Sequence, residues 1–168
     1  GIVTKAWESG RFNDPYMRDT MQDFGIVMDT MECTVNWSNM SKVHAEVRKY
    51  CKSRPHTICM THMSHVYPQG ANLYWIFITR MHDPAEFKAY HAGILDAIQK
   101  SGASMSHHHG IGKMFAPWLE GFLGNNEYEV FRTLKEHFDP DNIMNPGGTL
   151  GFDLPEEEKI PIDKKLYE

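Results

Sequence analysis

The stretch "PHTICMTHMSHVYPQGANLYWIFITR", residues 55–80, contains two apolar, β-rich runs with a turn between them. The second run, residues 71–80, is dominated by the aromatic and β-branched residues that favour strands. Residues 68–70, Pro-Gln-Gly, separate the runs, and proline and glycine are typical of tight turns. The stretch therefore predicts an antiparallel hairpin.

Alternating strand and helix patterns flank this hairpin on both sides. "IVMDTMECTVNW", residues 26–37, alternates apolar and polar residues and predicts a strand. "NMSKVHAEVRKYCKSR", residues 39–54, has helical periodicity. "DPAEFKAYHAGILDAIQKSG", residues 83–102, predicts a helix with Asp83 as N-cap and Pro84 at its first position. "ASMSHHH", residues 103–109, completes the pattern as a last short strand.

The resulting order, β-α-β-β-α-β, predicts an α+β fold with a ferredoxin-like antiparallel sheet and both helices on one face. The other face of the sheet must be covered by another segment or used as a binding surface. Residues 1–25 predict a helical lead-in, with Asp14 as N-cap and Pro15 at the first position of a short helix. "NEYEVFRTLKEHF", residues 126–138, predicts a further amphipathic helix, followed by an NPG turn and an extended charged tail.

Composition restricts the possible partners. The chain of 168 residues has a net charge of -5 and scattered lysine and arginine, so we expect no nucleic-acid partner. No apolar run reaches the roughly 20 residues that span a bilayer. Cys33, Cys51 and Cys59 lack metal-type spacing, which indicates a reducing compartment and hence the cytoplasm, with the peroxisome considered only for a eukaryotic source.

Three adjacent histidines, His107, His108 and His109, precede a glycine turn in "SMSHHHGIGK". An imidazole titrates near neutral pH and suits proton transfer during catalysis. The alternative is a solvent-exposed polar turn. We predict no metal site, because adjacent residues on one strand cannot all converge on one ion.

Several segments resemble a known family in sequence and in order, namely "RFNDPYMRD", "DTMECTVNWSN", "GANLYW", "SHHHGIGK", "PW" and "DPDNIMNPG". They are similar to the C-terminal domains of FAD-linked oxidases of the vanillyl-alcohol oxidase superfamily, and most similar to its alkyldihydroxyacetonephosphate synthase branch. The resemblance implies an upstream FAD-binding domain that this chain lacks. It also implies a cap domain, residues 26–112, that closes over the flavin, and a C-terminal part, residues 113–168.

The resemblance also implies roles for single residues. Tyr74 matches the catalytic tyrosine of the synthases, and His108 and His109 match the acid–base histidines, with His107 beside the substrate. Arg18 would hold an anionic substrate group, Thr30 would hydrogen-bond substrate, and Asn145 and Lys113 would contact the cofactor. The plainer alternatives are core packing for Tyr74, an ion pair with Asp14 for Arg18, a helix-ending turn at Asn145 and a solvated Lys113.

Two other functions stay open. One is a D-2-hydroxy-acid dehydrogenase cap, whose resemblance "NPGG" supports but whose metal-binding pattern is broken here by Tyr74 and His108. The other is a stand-alone ferredoxin-like metal-binding or regulatory module. For the main interpretation we expect the partners to be the chain's own FAD-binding domain and a small or lipid-like substrate. A homodimer is also considered, as is peripheral membrane contact if the substrate is a lipid.

Overall fold

The computed structural model describes residues 1–148, 150, 151 and 154, so the predicted charged tail lies outside the described residues. Two helices open the chain, α1 at Ile2–Gly10 and α2 at Asp14–Gln22. The short helix was predicted, but it begins at Asp14 and its N-cap is Asn13. Its second residue is Pro15, whose fixed φ suits a first helical turn.

The sheet has three strands, β1 at Ile26–Asn36, β2 at Ile58–Ser64 and β3 at Gly70–Arg80. Their order is β1-β3-β2, and both pairings are antiparallel. The hairpin predicted from residues 55–80 is the β2–β3 pair. The α+β class and the antiparallel sheet are thus confirmed.

Two helices cover one face of the sheet, α3 at Met40–Ser53 and α4 at Pro84–Lys100. Asp83 caps α4 as predicted, since its carboxylate accepts the Ala85 N–H at 2.8 Å. The apolar faces of these helices pack on the odd-numbered residues of β1 and β3. The fully buried core of this layer includes Met31, Cys33, Trp75, Phe77, Val43, Val47, Ile94 and Ile98.

The prediction of a fourth strand at residues 103–109 was wrong, because the structure describes all seven residues and none of them is in a strand. The segment does begin beside β1, where the Ser104 N–H donates to the Thr34 carbonyl at 3.0 Å. The Thr34 N–H does not bond a backbone carbonyl of this segment; it donates to the Ser104 side-chain Oγ at 2.8 Å. The pairing ends there, and the backbone turns toward Glu32.

Two further helices follow, α5 at Gly112–Leu123 and α6 at Asn125–Phe138. Helix α6 was predicted from the sequence, whereas α5, which contains Pro117, was missed. Trp118 is fully buried, and its indole N–H donates to Asp96 of α4 at 2.7 Å, which ties α5 to the core. The apolar side chains of α6 are largely exposed. Among the described residues, no helix combines the length and the apolar character that crossing a bilayer requires.

Candidate active site

The sheet face opposite α3 and α4 is uncovered by these helices and carries the even-numbered strand residues. At one end it is apolar, with Ile58 54% exposed, Met60 45% exposed, and Ile76 and Ile78 half-buried beside them. The other end is polar and bears Glu32, His62, Asn72 and Tyr74. The register places Tyr74 between Glu32 of β1 and His62 of β2.

Glu32 is fully buried at the polar end and organises the histidine segment. Its carboxylate accepts backbone N–H groups from His107 at 2.7 Å, His108 at 3.0 Å and His109 at 3.1 Å. It also accepts the Ser106 hydroxyl at 2.6 Å and the Asn72 side-chain amide. The three histidines thus wrap their backbone around one anion.

The pKa of Glu32 reflects this arrangement. Burial by itself raises the pKa, but the hydrogen bonds from Ser106 and from the N–H groups of His107, His108 and His109 outweigh it and leave the pKa below its ordinary value. Glu32 is therefore a stable anion that fixes the loop.

The imidazoles of His107 and His108 meet the β2–β3 hairpin. The Tyr67 hydroxyl hydrogen-bonds His107 Nε2 at 2.8 Å, and His107 Nδ1 lies 3.0 Å from His108 Nδ1. His108 Nδ1 is also 3.6 Å from the Glu32 carboxylate. His65 packs its ring 4.8 Å from the rings of both His107 and His108. This chain of contacts fixes the orientation of His107 and His108.

Tyr74 shares the same space. Its ring lies 5.2 Å from the His109 ring, edge to face, and 6.2 Å from the His108 ring. On its other side it stacks on His62 at 4.7 Å. The structure therefore brings the predicted catalytic residues Tyr74, His108 and His109 together on one surface.

One group of side chains in the described part of the chain has the geometry to hold a metal ion. Nitrogens of His65, His107 and His108 all lie within 4.8 Å of one another. The prediction of no metal site assumed that the histidines lie on one strand, and that premise was wrong because the segment leaves the sheet. The expectation that no metal is bound remains a prediction.

Arg18 and Thr30 occupy two different places, Arg18 in a cavity beside α2 and Thr30 on strand β1. Arg18 is exposed, with its Nε 3.8 Å from the Asp19 carboxylate. It lines a cavity of about 450 Å³ together with Met28, Asp29 and His82, and none of the described lining residues is among the histidines of the 107–109 segment. Thr30 points to the open face two residues before Glu32, and its N–H donates to Asp29 Oδ1 at 2.8 Å.

The predicted cofactor contacts, Asn145 and Lys113, belong to neighbouring segments. Asn145 is exposed and has a left-handed φ of 51°. The preceding turn is held by Asp139, which accepts the N–H groups of Ile143 at 2.9 Å and Met144 at 3.0 Å. Lys113 Nζ lies 3.3 Å from where a side chain on Gly147 would begin. The NPG turn is therefore packed against the start of α5.

Three site residues were not identified from the sequence, namely His62, His65 and Tyr67. Strand alternation could have placed His62 on the same face as Tyr74, but a turn at residues 68–70 would have paired it with Ile76, whereas the observed register is centred on residue 68 and pairs it with Tyr74. The contact of Tyr67 and His65 with His107 depends on where a separate loop folds, so the sequence of the hairpin does not reveal it.

Comparisons with known proteins agree with this architecture. The family described as FAD linked oxidases, C-terminal domain, matches residues 3–149. Alkyldihydroxyacetonephosphate synthase of Dictyostelium discoideum is 32% identical over 94% of this chain and 27% of its own length. A solved structure of an alkyldihydroxyacetonephosphate synthase superposes with a TM-score of 0.57 at 27% identity, covering 84% of this chain and 23% of that one.

A glycolate oxidase subunit, GlcD of Bacillus subtilis, matches a shorter part, with 37% identity over 37% of this chain and 13% of its own length. The chain spans about a quarter of the length of the synthases that it matches. From the family match over nearly all of the chain, together with the fold, we conclude that this chain belongs to the C-terminal domains of the FAD-linked oxidases.

Proposed function

We propose that this chain is the substrate- and flavin-facing lid of an FAD-dependent enzyme of the alkyldihydroxyacetonephosphate synthase type. The single observation that carries the proposal is the contact of the Tyr74 ring with both His108 and His109 on the open sheet face. A phenol and two imidazoles in one cluster can accept and return protons. We further propose that the chain acts in the cytoplasm, together with its own FAD-binding domain.

The open face fits a flavin ring. Its apolar end offers Ile58, Met60, Ile76 and Ile78 to a flat aromatic surface, and its polar end places proton-transfer groups at the edge of that surface. When bound, the flavin would supply electron-accepting chemistry at this face.

The chain's own residues then manage protons and charge. Glu32 stays ionised and keeps His107–His109 in place, so the imidazoles are presented without having to reorganise. Tyr74 is positioned between His62 and His109, where its hydroxyl can pass a proton to an imidazole or hydrogen-bond a substrate oxygen. Arg18, in its own cavity, is the cation available for an anionic end of the substrate.

A D-2-hydroxy-acid dehydrogenase is the second candidate, supported by the similarity to the glycolate oxidase subunit. It is less well supported by the site, because Tyr74 and His108 stand where the resemblance to that branch calls for a metal-binding histidine and glutamate. The two candidates use the same proton-transfer groups and differ in the fate of the substrate. A homodimer, and membrane contact in the case of a lipid substrate, accompany the first candidate as further proposals.

The test uses the FAD-loaded full-length protein. One assay supplies an acyl dihydroxyacetone phosphate with a fatty alcohol and measures released fatty acid; the other supplies D-lactate without oxygen and measures loss of flavin colour. We expect fatty-acid release and no bleaching. Bleaching by D-lactate without fatty-acid release would overturn the proposal in favour of the dehydrogenase.

A substitution then tests the site itself. Tyr74→Phe is expected to lower kcat by roughly 10²–10⁴-fold with the flavin still bound, because it removes one proton-transfer group. Tyr16→Phe, on the exposed surface of α2, is the matched control and should change kcat little. Equal activity of the two variants would exclude a proton-transfer role for Tyr74.

A further inference from the structure

A continuous chain of hydrogen bonds leads from the candidate active site to a tyrosine at the surface. The Tyr67 hydroxyl is bonded to His107 Nε2 at 2.8 Å, and His107 Nδ1 lies 3.0 Å from His108 Nδ1. At the inner end, the His108 ring lies 6.2 Å from the Tyr74 ring. At the outer end, Tyr67 is 44% exposed. The chain therefore joins an imidazole of the candidate active site to solvent.

The contact between the two imidazoles has room for one proton. Two bare nitrogens at 3.0 Å would bring two lone pairs together, and two N–H groups would bring two hydrogens together. When both rings are neutral, one Nδ1 therefore donates to the other. Because a neutral imidazole carries its proton on one nitrogen only, His107 and His108 must be opposite tautomers.

The chain has two complete hydrogen-bond patterns, and its ends decide between them. The ionised Glu32 carboxylate lies 3.6 Å from His108 Nδ1 and favours a proton on that nitrogen, which leaves His108 Nε2 bare. His107 then donates its Nε2 proton to the Tyr67 oxygen. In the reverse pattern the Tyr67 hydroxyl donates to His107, His107 donates to His108, and His108 Nε2 carries a proton. A phenol completes both patterns because it can accept or donate.

The outer end of the chain is held by the β2–β3 hairpin. The Tyr67 N–H donates to the Gly70 carbonyl at 2.8 Å, and the Tyr67 carbonyl accepts the Trp37 indole N–H at 3.1 Å. His65 has a left-handed φ of 48° and packs its ring 4.8 Å from both imidazoles of the chain. This conformation is uncommon for a residue other than glycine and costs conformational energy. The hydroxyl is therefore held in place before any reaction occurs.

We propose that Tyr67 is a positioning residue that, with His107, relays protons between His108 and solvent, an inference that rests on the proposed function of the site. A proton leaves the substrate, whose bonding electron pair stays behind, and binds His108 Nε2. The His108 Nδ1 proton passes to His107 Nδ1, the His107 Nε2 proton passes to the Tyr67 oxygen, and the Tyr67 hydroxyl proton passes to water. One proton enters the chain and one leaves it, and the reverse shifts restore the first pattern.

The relay is needed when the open face of the sheet is occupied. In the uncovered domain the His108 side chain is 38% exposed, so water reaches it directly. A flavin and a substrate lying over the open face would exclude that water. Tyr67 lies beyond the last residue of β2, in the turn before β3, and offers a path at the edge of the sheet.

The first test needs no turnover and no variant. In the full 168-residue chain labelled with nitrogen-15 histidine, NMR at pH 8 reports which nitrogen of each ring carries the proton. We expect His107 and His108 to be opposite tautomers, with their Nδ1 atoms coupled through the shared proton. His137, exposed on α6, is the control and should show no such coupling. Equal tautomers, or uncoupled Nδ1 atoms, would overturn the relay.

The second test uses the FAD-loaded full-length protein. Tyr67→Phe keeps the ring and removes the hydroxyl, and we expect kcat to fall by roughly 10²-fold with KM unchanged. Added imidazole, a small proton carrier, should restore most of kcat. Tyr16→Phe, exposed on α2, is the matched control and should change kcat little and not respond to imidazole. An unchanged kcat in Tyr67→Phe, or a loss that imidazole does not restore, would overturn the proposal.

The relay and the proposed function can fail separately. The same rescue by imidazole is expected whether turnover is measured as fatty-acid release or as flavin bleaching. Bleaching by D-lactate that shows the rescue would overturn the synthase function and support the relay. Fatty-acid release that Tyr67→Phe leaves unchanged would support the synthase function and overturn the relay.

Discussion

Glu32 and Tyr74 lie directly opposite each other on β1 and β3, both on the open face of the sheet. Glu32 is buried and holds the backbone of His107–His109, while Tyr74 contacts the rings of His108 and His109. One rung of the sheet therefore positions both the loop and its aromatic neighbour. This rung links the stability of the sheet to the geometry of the site.

Replacing Glu32 by glutamine should destabilise the protein by about 2 kcal/mol, because an amide group would face N–H donors that now meet a carboxylate. Urea unfolding at pH 7 measures the free-energy change. Glu46→Gln, exposed on α3, is the matched control and should change the free energy of unfolding by less than about 0.5 kcal/mol. Equal effects of the two changes would show that Glu32 does not hold the loop as described.

The same variant should alter the acid dependence of stability. The fold lowers the pKa of Glu32, so its contribution is present above the ordinary value near 4.5 and is lost as the pH falls through the folded value. The wild type should therefore lose more stability than Glu32→Gln between pH 5 and pH 3. Parallel pH profiles would contradict this expectation.

The burial of His91 predicts that the stability of the protein also depends on pH in a second range. Burial between Phe87 and Phe115 lowers its pKa, against a smaller opposing effect of Asp29, and its Nδ1 has no hydrogen-bond partner among the described residues. The unfolded chain takes up a proton below about 6.5 that the folded protein resists, so stability should fall by up to about 1.4 kcal/mol per pH unit below that value.

His91→Leu removes this titration and the unsatisfied nitrogen, and should flatten the stability profile between pH 7.5 and pH 5.5. Urea midpoints at three pH values measure the slope. His137→Gln, exposed on α6, is the control and should keep the wild-type slope. A wild-type profile that is already flat in this range would refute the prediction.

Gly70 allows the close approach of β3 to β1. A side-chain carbon there would lie 2.0 Å from the Val35 carbonyl oxygen, and because that oxygen is backbone, the strands would have to move apart. Gly70→Ala should cost about 1–3 kcal/mol. Gly10→Ala, where nothing lies within 4 Å, should be neutral or stabilising by about 0.5 kcal/mol. Thermal melting of both variants makes the comparison, and similar melting temperatures would contradict the packing argument.

Treatment with a chelator distinguishes the proposed lid from a stand-alone metal-binding module. In the purified protein, His107 already uses its Nε2 on Tyr67 and its Nδ1 on His108, so we expect EDTA to leave the melting temperature unchanged. A drop in melting temperature on chelation, abolished by His65→Gln, would instead establish a structural metal at His65, His107 and His108. His44→Gln on α3 serves as the control for loss of a histidine outside this group.

Local sequence patterns were enough for the hairpin and for the helices other than α5. Asp83 caps α4 and Gly70 follows the hairpin turn because capping and turn formation depend on residues next to each other in the chain. The buried residues of α3, Val43, Val47 and Cys51, likewise follow from helical spacing. Short motifs in a fixed order were also enough to identify the family.

The failed fourth strand and the missed α5 have a common origin. The pattern at residues 103–109 allows a strand, but a distant buried carboxylate, Glu32, competes for the same backbone N–H groups and binds them. Helix α5 contains Pro117, which disfavours a helix locally, and its position is stabilised by burial of Trp118 against α4. In both cases contacts remote in sequence override the local preference.

The amino-acid order alone was sufficient for the α+β class, the hairpin, the capped helices and the residue types available for proton transfer, because each depends on neighbouring residues and their spacing. The folded chain was needed to establish that Glu32 gathers three histidine N–H groups and that His62, His65 and Tyr67 join the cluster. These contacts arise where burial of the common core brings separate segments together. The spacing of residues along the chain does not determine the distances between such segments.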